Sequence, residues 1–171
     1  MRMLSLMVLM MTGVALAQTA IGSFRYVKAS DPLNDQDRSY LFTQESRDAK
    51  RGAQLQLRCQ QNSRSQETDL YIALEHKLKL PNYYGTYAQV RWQYRFDSKP
   101  ASSNWLSYFS EDQTRIYLTD EARADFVSQA RKSQRLVIVV TGDDLAPQTF
   151  QFNLEQLTEA LAKLKCSVQQ N

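Results

Sequence analysis

Two arginines in one strand-like stretch are the residues best suited to bind a charged ligand. Arg91 and Arg95 alternate with aromatic residues in Arg91-Trp92-Gln93-Tyr94-Arg95-Phe96. Their side chains therefore leave an extended strand on the same side, and we expect them roughly 7 Å apart. Guanidinium groups at that distance would clamp one carboxylate or phosphate. The alternative is a solvated face on which both arginines pair with neighbouring acids.

A tyrosine-rich segment is the second candidate binding site. It reads Asn82-Tyr83-Tyr84-Gly85-Thr86-Tyr87 and follows Pro81. Pro and Gly predict a loop between two strands, where exposed tyrosines favour protein or glycan contacts. We therefore name Tyr83, Tyr84 and Tyr87 as candidate binding residues. The alternative is that these rings pack on the edge of the sheet.

Catalytic and metal-binding motifs do not occur in the sequence. Its one histidine, His76, interrupts a leucine-rich strand pattern, where a hydrogen-bonded border residue is the simplest interpretation. No nucleophile motif, phosphate-binding loop or paired metal ligands accompany it. The sequence predicts a protein that is not an enzyme, with no cofactor and no metal site. The alternative is a calcium ion held by Asp31, Asn34, Asp35 and Asp37, although these residues lack the spacing of a calcium-binding loop.

The beginning of the chain predicts export. Arg2 precedes an apolar run, Met3 to Ala17, that closes with Ala-Leu-Ala, the pattern of a cleavable signal peptide. A buried N-terminal helix is the alternative. We expect residues 1–17 to be removed, and residues 18–171 to form a single β-rich globular domain in the periplasm or cell envelope. The expected cleavage site lacks the cysteine that a lipid anchor would require. No later apolar stretch is long enough to predict a transmembrane segment.

Charge and cysteine content narrow the class further. The formal net charge is +3 and the basic residues are scattered, which argues against a nucleic-acid partner. The two cysteines, Cys59 and Cys166, predict a disulfide in an exported protein. Closing so long a loop would contribute about 4 to 5 kcal/mol. Two free thiols are the alternative.

Hydropathy patterns predict the elements that position these residues. A period of two predicts strands at 24–27, 40–43, 55–59, 70–80, 90–97, 105–109, 115–118 and 149–152. Trp92, Tyr94 and Phe96 should face the core from the strand that carries the arginines. The continuous apolar run at 136–140 predicts a strand buried on both faces.

Two helices complete the pattern. Ala122, Phe126 and Ala130 share a face of the first helix, for which Asp120 is the expected N-cap. Asn153 should cap the last helix, whose apolar face carries residues 157, 161 and 164. The elements together predict an α+β, mainly β fold. It is an antiparallel sheet or sandwich with two packed helices, and the predicted disulfide ties the last helix to the strand at 55–59.

The chain resembles the periplasmic TagO/VasI-type accessory proteins that are associated with bacterial type VI secretion. Residues 55 to 166 carry the resemblance: Leu55-Gln56-Leu57-Arg58-Cys59, Tyr94-Arg95-Phe96-Asp97, Trp105, Ser110-Glu111-Asp112, Phe126, Leu136–Val140, Phe150-Gln151-Phe152, Leu157, Ala160-Leu161, Leu164 and Cys166. The family commonly has Gly-Leu before the last helix, where this chain has Asn153-Leu154. The resemblance implies an envelope accessory protein without known catalysis. We therefore expect an exported, non-enzymatic accessory or subunit that binds another envelope protein; the alternative is a binding module for a cell-wall glycan or a small envelope ligand.

Overall fold

The structure is a computed structural model that describes residues 18–30, 33, 37–48, 52–61, 68–76, 90–102, 105–109, 115–142 and 145–164. The expected signal peptide at 1–17, the tyrosine segment at 82–87 and Cys166 lie outside these residues. Ten strands and two helices follow one another along the chain. They are β1 Gln18–Ile21, β2 Phe24–Val27, β3 Tyr40–Gln44, β4 Gln54–Gln61, β5 Thr68–Glu75, β6 Val90–Phe96, β7 Trp105–Phe109, β8 Arg115–Leu118, α1 Asp120–Ala130, β9 Arg135–Gly142, β10 Leu145–Asn153 and α2 Leu157–Leu161.

The predicted α+β, mainly β fold with two helices is confirmed. All strand pairs are antiparallel, in the order β1-β2-β3-β4-β5-β8-β7-β6-β9-β10. β4 and β5 form the predicted hairpin over eight residue pairs, from 54 opposite 75 to 61 opposite 68. Three pairs, at 73–75 and 115–117, join β5 to β8, as many as join β2 to β3, β6 to β7 and β7 to β8. We call β1 to β5 the first half of the sheet, and the strands from β8 to β10 in the sheet order the second half.

The two halves curve over one shared core. Glu45, after β3, forms a β-bridge with Phe152 of β10, and the Ser46 backbone N–H donates to the Gln151 carbonyl at 2.8 Å. Buried side chains of both halves belong to one hydrophobic cluster, which includes Leu57 and Ile138. Each half buries the apolar side of its alternating strands against this common core. The arrangement corresponds to the sandwich-like alternative of the predicted fold.

The burial of side chains in strand β9 differs from the expectation. Leu136, Ile138 and Val140 are fully buried, but Val137 and Val139 are only half-buried. The prediction of a strand buried on both faces was wrong. Since β9 lies between β6 and β10 in an antiparallel sheet, alternate residues point away from the core, whatever their hydrophobicity.

Helix α1 covers the aromatic side of β6. Its residues Ala122, Phe126 and Ala130 are buried as predicted. The Phe126 ring packs edge-on against Tyr94 and Phe96, with ring centroids 5.0 and 5.2 Å apart. Thr119, rather than Asp120, occupies the N-cap position, and its side chain makes no capping hydrogen bond. The position of α1 fixes β6 from the core side.

Helix α2 starts later than its capping pattern indicates. Asn153 ends β10, and its Oδ1 accepts a hydrogen bond from the Glu155 backbone N–H at 2.9 Å. Gln156, in the left-handed conformation (φ 61°), then precedes the helix. Asn153 therefore closes a local turn and the predicted N-cap was wrong. The apolar face at 157, 161 and 164 is buried as predicted.

The turn between β1 and β2 holds this end of the fold together. Gly22 has φ +55°, and a Cβ there would lie 2.5 Å from the Glu155 carbonyl oxygen. The neighbouring Ser23 hydroxyl donates to the Asn153 carbonyl at 2.8 Å. Glycine is required at this close approach. Strand β1 itself was not predicted, because three of its four residues are exposed and it carries no clear alternation.

The predicted Cys59–Cys166 disulfide stays a prediction. Cys59 is buried on the core side of β4, at 4% exposure. Cys166 lies beyond the last described residue, Leu164, which is itself buried in the core cluster after α2.

Candidate functional site

Strand β6 presents the two predicted arginines to solvent. Arg91 and Arg95 are exposed, while Trp92, Tyr94 and Phe96 between and beside them are buried. The aromatic residues are therefore core, as the alternation predicts. Tyr83, Tyr84 and Tyr87 lie outside the described residues, so the structure does not relate them to the arginines.

The expected 7 Å spacing of the two arginines was wrong. Arg91 and Arg95 are four residues apart, with Gln93 between them on the same side of β6. Four residues of an antiparallel strand span about 13 Å. That distance is too long for both guanidinium groups to clamp a single carboxylate or phosphate. Together they suit a ligand that extends along the strand.

The strand register defines a continuous surface around these arginines. Gln93 and Arg95 lie opposite Val139 and Val137 of β9. Those valines in turn lie opposite Thr149 and Gln151 of β10. We call this outward surface the β6–β9–β10 face; it comprises Arg91, Gln93, Arg95, Arg135, Val137, Val139, Thr149 and Gln151. Valines that are half-buried between exposed arginines give it both apolar and cationic contacts.

The arginines of this face are available for binding. Within the part of the chain that the structure describes, the guanidinium groups of Arg91, Arg95 and Arg135 make no hydrogen bond or ion pair. The amide of Gln93 is held in place, since its Nε2 donates to the Ser102 carbonyl at 3.2 Å. The three charges are thus presented on a hydrogen-bonded sheet rather than on a loop.

A groove lies at one end of the β6–β9–β10 face. Its volume is about 460 Å³, and its lining comprises Ser46, Asp97, Gln134, Arg135, Gln151, Phe152 and Asn153. Asp97 has φ +48°, and its Oδ1 accepts the backbone N–H groups of Gln134 and Arg135 at 3.2 and 2.9 Å. This carboxylate therefore shapes the turn that forms the groove. Sequence reasoning missed the groove because it assembles four separate segments.

The core beneath β6 makes the face rigid. Tyr94 and Phe96 contact one another with ring centroids 5.4 Å apart, and both contact Phe126 of α1. The Tyr94 hydroxyl donates to Asp125 Oδ2 at 2.9 Å. Edge-to-face aromatic packing of this kind stabilises a fold beyond the area that it buries. The core consequently holds the strand backbone from which Arg91 and Arg95 project.

A second pair of arginines, Arg58 of β4 and Arg115 of β8, lies on a surface that spans the junction between the two halves. Arg115 Nε donates to Glu75 Oε2 at 3.3 Å, and the buried Gln56 amide donates to the same oxygen. The Arg58 guanidinium lies over the Tyr40 ring, 4.8 Å from its centre. We call this surface the β3–β4–β5–β8 face; it comprises Tyr40, Gln56, Arg58, Glu75, Arg115 and Tyr117. Its charged side chains interact with one another.

The guanidinium pKa values reflect this environment. Burial lowers the pKa of Arg58, and the positive charge of Arg115 lowers it further. Burial also acts to lower the pKa of Arg115, but the Glu75 carboxylate and the Tyr117 hydroxyl raise it above its ordinary value. Both groups remain charged, because arginine does not lose its proton in proteins. The pairing was not predicted, since it depends on β5 lying beside β8.

His76 has a packing role in the structure. Its ring lies edge-on to Phe150, with centroids 5.2 Å apart. Among the residues that the structure describes, no group of three or more potential ligands could hold a metal ion. Over the same residues, no helix has both the length and the apolar character needed to cross a membrane.

Comparison with known proteins adds no relative. No protein-family model, curated protein or solved structure matches this chain.

Proposed function

We propose that this chain is an exported, non-enzymatic cell-envelope protein that binds another envelope protein through its β6–β9–β10 face. The observation that carries the proposal is the exposure of Arg91 and Arg95, without side-chain partners among the described residues, beside half-buried Val137 and Val139. Arginine is enriched in protein interfaces, and contacts that combine charge with apolar area carry much of their energy. A rigid sheet also loses little conformational freedom on binding.

Two features of the sequence support the envelope setting. The run from Met3 to Ala17 has the pattern of a signal peptide. The segment from residue 55 to residue 166 resembles TagO/VasI-type accessory proteins. We accordingly propose an accessory or subunit role in an envelope assembly.

Affinity capture of the tagged protein from cross-linked cells, read by mass spectrometry, tests this function. The double variant Arg91→Ala/Arg95→Ala should lose the dominant partner, because it removes two charges from the face. Arg25→Ala/Lys132→Ala is the matched control, since it removes two exposed charges elsewhere and should retain the partner. Unchanged capture by a well-folded Arg91→Ala/Arg95→Ala protein would contradict the proposed surface.

The groove favours an alternative function, a binding module for a cell-wall glycan. Its lining includes one hydroxyl and three amide side chains, those of Ser46, Gln134, Gln151 and Asn153. Such groups form the hydrogen bonds that sugar hydroxyls require. Co-sedimentation of the purified protein with insoluble cell wall separates the two functions. Sedimentation that Gln134→Ala abolishes would favour the glycan, whereas a protein binder should remain in solution.

A further inference from the structure

Three arginines extend across the β6–β9–β10 face and reach the groove. Arg91 and Arg95 lie on β6, and Arg135 lies on the adjacent β9, where its carbonyl accepts the Asp97 backbone N–H at 2.9 Å. Arg135 is exposed and also lines the groove. We infer that the segment of the partner that contacts this face is an acidic peptide in extended conformation. The inference rests on the proposed function and names the chemistry of its partner.

The spacing of the arginines sets the shape of this peptide. Arg95 follows Arg91 by about 13 Å along β6. Arg135, on the neighbouring strand β9, lies about 7 Å further in the same direction. A compact ligand would reach only part of this line, and a helix would need about 14 residues to span it. An extended chain of about seven residues spans it, and its side chains recur on one side every 7 Å or so. Carboxylates at alternate positions can therefore meet each guanidinium group.

The same surface favours a peptide over a phosphate-bearing polymer. Val137 and Val139 lie between the arginine row of β6 and strand β10 and are half-buried. They offer apolar contact that a peptide with aliphatic side chains can use. The Asp97 carboxylate lines the groove beside Arg135. It would repel a uniformly anionic polymer, whereas a peptide can place a neutral or basic residue there.

Selection from a random heptapeptide library displayed on phage tests the inference. The full chain, purified from the cells that export it, is immobilised and the selected peptides are sequenced. We expect an excess of Asp and Glu over the unselected library, with apolar residues between them. A labelled selected peptide should bind Arg91→Ala/Arg95→Ala about tenfold more weakly, since two charge-assisted contacts are lost. The loss should be smaller for Arg135→Ala and absent for Arg25→Ala/Lys132→Ala.

Three results would overturn the inference. They are selection of no peptide, selection of peptides without excess acid, and equal binding of the acidic peptide by the double variant. Retention of inorganic polyphosphate by the arginines, without acidic peptides in the selection, would identify a phosphate polymer as the occupant. If capture in cells still depends on Arg91 and Arg95, the proposed function stands and only the acidic chemistry fails. If capture in cells does not depend on Arg91 and Arg95, both the proposed function and this inference fail.

Discussion

The two outward faces of this protein carry arginines in different environments: those on one face contact neighbouring side chains, and those on the other are exposed. On the β3–β4–β5–β8 face, Arg115 and Glu75 form an ion pair and Arg58 covers the ring of Tyr40. On the β6–β9–β10 face, Arg91 and Arg95 are exposed without side-chain partners in the described part of the chain. Both pairs of arginines come from strands that alternate polar and apolar residues. What differs is the strand that lies alongside.

This difference shows that residue type alone does not identify a binding surface. A guanidinium that contacts a carboxylate and an aromatic ring contributes to the stability of the fold. An exposed guanidinium contributes little to stability and is available to a partner. We therefore expect substitutions on the first face to affect folding and substitutions on the second to affect binding.

The largest effect should come from the core below the binding face. Phe96→Ala removes the ring contacts with Tyr94 and Phe126 and should lower the free energy of unfolding by about 3 to 5 kcal/mol. Urea denaturation measures this change. Phe96→Leu is the control and should cost clearly less. A small effect of Phe96→Ala would show that the aromatic cluster does not hold β6 in place.

Glu75→Ala should have the next largest effect. It removes the acceptor that Arg115 and the buried Gln56 amide share, and leaves Gln56 Nε2 with only its long hydrogen bond to Gln54 Oε1 at 3.4 Å. We expect a loss of about 1 to 3 kcal/mol in the free energy of unfolding. Glu75→Gln keeps an acceptor oxygen and should lose less. Equal losses for the two variants would contradict the hydrogen-bonding role, and partner capture by either folded variant should be unchanged.

Asp97→Ala should destabilise the turn at the end of the binding face. It leaves the backbone N–H groups of Gln134 and Arg135 without their acceptor and places alanine at φ +48°. The expected cost is about 1 to 2 kcal/mol by denaturation. Asp97→Asn should be milder, because asparagine tolerates this conformation and retains a carbonyl oxygen. If Asp97→Asn costs as much as Asp97→Ala, the negative charge and not the turn geometry is what matters.

The smallest effect on stability should come from the binding face itself. Arg91→Ala/Arg95→Ala should change the free energy of unfolding by less than about 0.5 kcal/mol per site. The measurement is the same denaturation experiment, followed by partner capture. A large loss of stability would remove the distinction between the two faces, because it would make these arginines structural.

Local patterns predicted much of the fold. The alternation in Val90, Trp92, Tyr94 and Phe96 predicted both the strand and its buried side, and all four are buried. The same period gave β4, β5 and the hairpin between them. Prediction failed where the local signal was weak, or where the same residue pattern suits two different structures. The exposed β1 was missed, and Asn153 carried a capping pattern but ends a strand.

The candidate site was predicted only in part. The exposure of Arg91 and Arg95 followed from their alternation with the aromatic residues, but their spacing did not support a single clamped anion. Arg135 was not named, because nothing near it in the sequence indicates that β9 lies beside β6. The half-buried state of Val137 and Val139 likewise depends on that neighbour.

The sequence by itself determined which residues alternate and therefore which sides of the strands enter the core. That information is local, since successive side chains of a strand point to opposite sides. Tertiary structure alone decided which strands are neighbours. β5 pairs with β8 and places Glu75 opposite Arg115, whereas β6 pairs with β9 and places Arg95 opposite Val137. Strand order is set by the packing of distant segments around one core. That packing leaves Arg58 and Arg115 in contact with neighbouring side chains and leaves Arg91 and Arg95 open to a partner.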